Sequence, residues 1–154
     1  MNNELHKAQL ANCAIPAAVE AVGERWSFLI LRGVFNGLHH FEEFQATLGI
    51  ARNILSHRLA RLVEQEILER ERDGTDRRRV SYRLTPKGQD LLPVLIALRQ
   101  WGERWVSGAP SNPVLVDKHS HQPIAPITVR SADGRALSID ELEWLDRSQV
   151  RPVG

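Results

Sequence analysis

Apolar residues recur at helical spacing as far as about residue 106, with one short interruption where the period changes. Ala17–Val22 and Glu24–Phe35 read as helices, the second placing Trp26, Leu29, Ile30 and Val34 at i, i+3, i+4 and i+8 on one face. Gly37 ends it. The segment from Phe41 to Leu48 sets Phe41, Phe44 and Leu48 on one helical face, and Gly49 offers the permissive backbone of a tight turn. From Arg52 to Gln65 the apolar positions Leu55, Leu59, Leu62 and Val63 again keep helical register. The period then drops to two: Val80, Tyr82 and Leu84 alternate with Ser81 and Arg83, Ile67–Arg72 supplies an antiparallel partner, and Asp73-Gly74-Thr75-Asp76 forms the turn between them. Thr85 as N-cap and Pro86 in the first helical position open a long helix to about Val106, with a kink expected at Pro93 because proline lacks the amide N–H.

Two helices joined by a short glycine-containing turn make a helix-turn-helix, and a two-stranded ribbon followed by a long helix completes a winged helix-turn-helix. The fold class expected is mainly α with a small β-wing. With Leu55, Leu59 and Leu62 turned inward, the second helix of the motif leaves Asn53, Ser56, His57 and Arg61 outside, with Arg52 at its flank. These are donor-rich side chains suited to base edges and phosphates. The ribbon tip adds Arg72, Arg77, Arg78 and Arg79 against Asp73 and Asp76, a surplus of two positive charges. Such a tip can enter a minor groove or clamp the flanking backbone. The competing reading is a solvated turn with salt bridges across the ribbon to Glu69 or Glu71; the preceding helix-turn-helix favours the DNA reading, with double-stranded DNA as the partner.

Composition adds boundaries rather than identity. The chain has 154 residues, 42% of them hydrophobic and 25% charged, which suits one globular domain with an appendage and excludes a large multidomain enzyme. Twenty Lys and Arg against nineteen Asp and Glu leave a net charge of +1, so charge placement and not its total must point to a partner. Residues 108–113, rich in Gly, Pro and Ser, read as a linker between a domain at 1–107 and a β-rich extension at 114–154. The polar stretch from Met1 to Gln9 lacks the apolar core of a secretion signal, and no membrane span is present in the sequence, so the cytoplasm is the expected location. One cysteine, Cys13, cannot form an internal disulfide or a cysteine-based zinc site. No cofactor is expected. Phosphate-loop, HExxH and GxSxG motifs are all missing, which argues against an enzyme.

Several separated motifs bring one family into view. Cys13, Gly23-Glu-Arg-Trp-Ser-Phe-Leu-Ile-Leu-Arg32, Phe41-Glu-Glu-Phe44, Ile50-Ala-Arg-Asn-Ile-Leu-Ser-His-Arg-Leu59 and Tyr82-Arg-Leu-Thr-Pro-Lys-Gly88 resemble, over about residues 13 to 107, the HxlR-type branch of the MarR-like bacterial transcription regulators. The resemblance implies a dimeric repressor or activator, with an interface built from the N-terminal helix and the long helix after the wing. The residues agree: Leu91, Leu95, Leu98, Gly102 and Trp105 follow a 4-3-4-3 spacing, and Trp101 adds apolar surface beside it. Packing of that stripe on its own domain is the alternative. A homodimer would read an inverted repeat with half-site centres about 10 bp apart or a multiple of that.

In some regulators of this type a cysteine at the position of Cys13 senses oxidants or electrophiles. Here Ala14, not proline, follows it, and a small side chain buried near the dimer seam is the alternative role. The apolar seam also leaves room for a small-molecule effector. The tail resembles an extension that in related regulators carries cysteine pairs for zinc, and those cysteines are absent. His119 and His121 would share a strand face, but two ligands make a poor metal site and none is assigned. A closing amphipathic segment runs from Ile139 to Leu145 with Ser138 as its N-cap. Two functions follow: a sequence-specific DNA-binding regulator, and, as the alternative, a winged-helix protein-interaction module that does not bind DNA.

Overall fold

A computed structural model of the chain describes residues 7, 10–72, 74, 76 and 79–152. Two compact units divide between Leu95 and Ile96.

The first unit contains α1 (Ile15–Val22), α2 (Arg25–Phe35), α3 (Phe41–Leu48), α4 (Arg52–Glu64), β1 (Leu68–Arg72), β2 (Val80–Leu84) and the single turn α5 (Pro86–Gln89). Its core is Val22, Ile30, Leu31, Val34, Phe44, Ile50, Leu55, Leu59, Leu62, Ile67 and Leu68. The inward face of α2 is therefore centred on Ser27, Ile30, Leu31 and Val34, while Trp26 and Leu29 are only half-buried. This is a rotation from the face read in the sequence, and Gly33 explains it. Bare of a side chain, Gly33 lies where an added Cβ would come within 3.2 Å of the Phe44 ring, so α3 approaches α2 on that side. In α4 the expected stripe is the buried one: Leu55, Leu59 and Leu62 are sealed.

Between α3 and α4 the chain turns at Gly49, whose φ of 61° lies in the left-handed region that glycine enters without steric cost. Buried Ile50 plugs the turn from beneath. β1 and β2 form an antiparallel ribbon with Leu68 opposite Leu84, Arg70 opposite Tyr82 and Arg72 opposite Val80. Tyr82 meets Phe44 edge-on, with ring centroids 6.5 Å apart, which ties the wing to the helical core.

The long helix expected after Thr85 is divided. α5 ends at Gln89 and α6 (Leu92–Gly102) begins beyond Leu91, because Pro93 cannot donate the amide bond that would have continued the first helix. A π-helical turn, Glu103–Ser107, follows α6.

The second unit runs from Ile96 and includes most of α6 and the tail. It begins upstream of the linker expected at 108–113, and the hydrogen bonds show why: the Arg99 guanidinium donates to the Pro113 carbonyl, the Ile127 N–H donates to Gln100 Oε1 at 2.8 Å, and Gln100 Nε2 donates to the Ala125 carbonyl at 3.3 Å. Among the described residues of the tail, β character amounts to two isolated bridges, Val116 with Pro123 and Arg130 with Ala136, among turns. Prolines at 123 and 126 cannot donate to a ladder, which keeps the bridges from growing into strands. Ser138 does start a short helical turn, Ile139–Glu141, in which its N–H donates to the Glu141 carboxylate at 2.9 Å.

Candidate nucleic-acid interface

The outer surface of α4 follows directly from its inner one. Burial of Leu55, Leu59 and Leu62 leaves Asn53, Ser56 and His57 exposed on the outer side, with Arg52 exposed at the flank. The helix starts at Ala51, which has no side-chain acceptor to cap it, and no acidic residue lies in the first turn. The first amide N–H groups of α4 are thus left without a capping side chain at the positive end of the helix dipole. The Arg52 guanidinium stacks 4.9 Å above the Phe41 ring, which holds it at the flank of the motif.

Arg61, the fifth residue expected on this surface, is turned along the helix to Glu64, 2.9 Å away, and is about a third exposed. Arg58 was not singled out in the sequence; it lies 2.9 Å from Glu24 Oε1 as an ion pair without a well-aligned hydrogen bond. Both arginines border an open pocket of about 410 Å³, lined also by Pro16, Val19, Glu20 and Gly23.

On the wing, Arg72 and Arg79 are exposed; Arg77 and Arg78 lie outside the described residues. The Arg79 N–H donates to the Asp76 carbonyl at 2.9 Å, closing the turn. Glu71, a candidate partner for the tip arginines, is instead paired across the ribbon with Arg83 at 3.0 Å.

What sets the wing relative to the helix-turn-helix was not legible in the sequence. His39 and His40 run along the free edge of β2. Tyr82 N–H donates to the His39 carbonyl at 2.8 Å, and imidazole Nδ1 of His39 and of His40 lies 3.2 and 3.0 Å from the carbonyls of Tyr82 and Val80. A carbonyl can only accept, so both rings must carry the proton on Nδ1. The Glu43 carboxylate in turn accepts the N–H of His39 at 2.8 Å and of His40 at 3.0 Å. Those two backbone bonds, and secondarily the two imidazoles, hold its pKa below the ordinary 4.5.

The open end of the ribbon, where β1 leaves α4, is fastened by the Thr85-Pro86-Lys87-Gly88 segment. Thr85 Oγ1 donates to the Glu66 carbonyl at 2.6 Å and accepts the Gly88 N–H at 3.1 Å, while Lys87 Nζ donates to the Gln65 carbonyl, also at 2.6 Å. The ammonium sits at the negative end of the α4 dipole, where a cation is favoured.

Cys13 is half-exposed, two residues ahead of α1, and its N–H donates to the Leu10 carbonyl at 3.2 Å. The dimer-seam candidates divide. Leu91 and Leu95 are half-buried against the core of their own unit, whereas Leu98, Trp101 and Trp105 are 51, 57 and 66% exposed. His119 and His121 fall in a turn, with His121 at a φ of 54°, so the shared strand face considered for them does not form. Among the described residues no group of three or more His, Cys, Asp or Glu is placed to hold a metal ion, and no helix is long and apolar enough to cross a membrane.

A three-helix core, an outward donor-bearing helix and an arginine-tipped ribbon define a winged helix-turn-helix protein. Comparison with known proteins places it more closely: residues 21–109 match the HxlR-like helix-turn-helix family, and the chain belongs to that family. It is 38% identical over 107 residues to the uncharacterized HTH-type transcriptional regulator Rv3095 of Mycobacterium tuberculosis, an alignment covering 70% of this chain and 68% of the relative. Among solved structures it is similar to PA1607, a candidate transcription factor, with 38% identity and a TM-score of 0.81 over 92% of this chain and 98% of the other. The redox regulator HypR in its oxidized form is 26% identical, with a TM-score of 0.55, over 60% of this chain and 96% of its own.

Proposed function

We propose that this chain is a homodimeric, sequence-specific DNA-binding transcriptional regulator, a repressor that recognises an inverted-repeat operator. The observation that carries the reading is the exposed set Asn53, Ser56 and His57 on the outer face of α4, turned away from its buried leucines, with exposed Arg52 at the flank. In the major groove this face offers one guanidinium, one amide, one hydroxyl and one imidazole to base edges, and the uncapped helix start offers N–H groups to a phosphate. Arg61 joins by exchanging Glu64 for a phosphate, a small cost because an exposed ion pair is worth about 0–1 kcal/mol. Arg72, Arg77, Arg78 and Arg79 take the flanking groove. Family membership and the names of the relatives as transcriptional regulators support this assignment over a protein-interaction module.

Control is assigned to Cys13. Its half-exposed position ahead of α1 admits a thiol reagent, and the likeness to the redox regulator HypR favours a thiol signal.

Anisotropy titration of labelled promoter DNA at several salt concentrations, with and without a thiol oxidant, tests both parts. Log affinity is expected to fall linearly with log salt, Arg78→Ala with Arg79→Ala to lower that slope by about 1 per lost phosphate contact, and Cys13→Ser to abolish any oxidant response. Affinity and slope unchanged in the double variant would remove the wing from the interface, and an oxidant response that persists in Cys13→Ser would remove the cysteine from control.

A further inference from the structure

The buried leucines of α4 settle which side of the helix faces the core. How finely it is turned about its own axis is a further matter, since apolar contact is non-directional. A rotation of about 20° carries a side-chain tip at a radius of about 6 Å through about 2 Å. That is more than the narrow range of lengths over which a hydrogen bond to a base edge holds.

Two arginines flank the buried stripe. Arg52 and Arg58 stand three residues before and three after Leu55, which at 100° per residue puts them about 60° to either side of it. Each is held by a different helix: the Arg52 guanidinium lies 4.9 Å above the Phe41 ring of α3, and Arg58 Nε lies 2.9 Å from Glu24 Oε1 at the start of α2. Glu24 is itself fixed through its backbone. It follows Gly23, which closes α1 at a φ of 41° where a Cβ would come within 2.7 Å of the Val19 carbonyl. The Glu24 N–H donates to the Val22 carbonyl at 3.0 Å, and its carbonyl accepts the Phe28 N–H at 3.3 Å. The facing atoms of the pair, Glu24 Oε1 and Arg58 Nε, are shut off from solvent, although each side chain is about a third exposed.

We infer that Glu24 and Arg58 are positioning residues for DNA recognition: their ion pair, across the helix from the Arg52–Phe41 stack, sets the rotation of α4 and with it the aim of Asn53, Ser56 and His57. Loss of one partner leaves the other's charge unsatisfied where water does not reach it, and α4 turns to relieve it. The inference rests on the DNA-binding reading above and adds to it a pair that acts without touching a base. The sign of one substitution separates it from the rival in which Arg58 is a phosphate contact restrained by Glu24. Removing a negative charge tightens binding to any duplex, the more so if Arg58 is freed for a phosphate. Losing the setting of α4 weakens binding to the operator alone.

Anisotropy titrations of the full chain on labelled DNA from upstream of its own gene, and on an unrelated duplex of equal length, test it with Glu24→Gln and Glu24→Asp beside the parent and circular dichroism as the check on folding. Glu24→Gln is expected to weaken binding to the upstream DNA about tenfold, the scale of one lost base contact, while affinity for the unrelated duplex does not fall. Glu24→Asp, which keeps the charge, is expected to recover most of the loss. Affinity for the upstream DNA that is unchanged or higher in Glu24→Gln overturns the positioning role, and a salt slope steeper by about 1 beside it assigns Arg58 to a phosphate. Equal losses on both duplexes overturn it too, since they report a merely structural pair. A parent chain that does not distinguish the two duplexes removes the sequence-specific reading itself.

Discussion

Gly88 shows how much one residue can settle. A Cβ at that position would overlap the carbonyl oxygen of Ile67, the residue that precedes β1, and press on a Leu84 methyl at 3.0 Å. The Thr85 and Lys87 bonds to the end of α4 depend on that close approach. Gly88→Ala is expected to cost about 1–3 kcal/mol in chemical denaturation, the usual range for forcing a methyl into a packed site, and a wild-type midpoint would contradict the packing described. The inward positions of α4 were legible from spacing alone, since a helix with leucines at 55, 59 and 62 can bury only one face. The role of Gly88 was not, because its close neighbour is a backbone carbonyl more than twenty residues away in sequence. Arg61 teaches the same lesson in reverse: its position on the wheel was visible, its pairing with Glu64 was not.

Among the elements, the wing depends most on partners remote in sequence. Local alternation identifies β2, and residues 67–72 read as its partner, yet the imidazole pair that borders β2 comes from the loop before α3. Spacing within either segment carries no trace of a contact spanning some forty residues. His39→Ala with His40→Ala is expected to speed amide exchange at Tyr82, whose N–H is held by the His39 carbonyl, while leaving α4 amides unchanged. Asparagine at both positions, which keeps a donor within reach of the carbonyls, should restore part of the protection. Equal exchange in wild type and the alanine variant would show that the rings do not hold the strand. Pro93 was the most readable feature at this scale, since its missing N–H forecast a fault in the helix; a full break at Leu91 and the π-helical turn after Gly102 depend on packing that residue type does not encode.

Over the whole molecule, composition suggests a linker at 108–113, whereas the compact units divide between Leu95 and Ile96, because side chains of α6 bond to the tail and composition cannot show that. Glu103 is one of those side chains. Its carboxylate accepts from Ser111, which is the larger influence, and from Arg99 at 2.9 Å, and its pKa falls to about 2 from the ordinary 4.5. A depressed carboxylate pKa contributes stability that is present above pH 4.5 and is lost as the pH falls toward 2. Exchange protection at the Ser111 N–H, which donates to Glu103 at 3.1 Å, is therefore expected to disappear on acidification through that window, and Glu103→Gln to remove the dependence. Protection that ignores pH there would refute the assignment.

One claim stands beneath the rest, that the outer face of α4 reads a duplex in two copies. Hydroxyl-radical footprinting of the purified protein on the DNA upstream of its own gene tests it most directly, with Asn53→Ala and His57→Ala beside the parent. The account predicts two protected half-sites whose centres lie about 10 bp apart or a multiple of that, with protection lost at the centre of each half-site in the variants. No protection even at low salt, or a footprint that both variants reproduce in full, would contradict it.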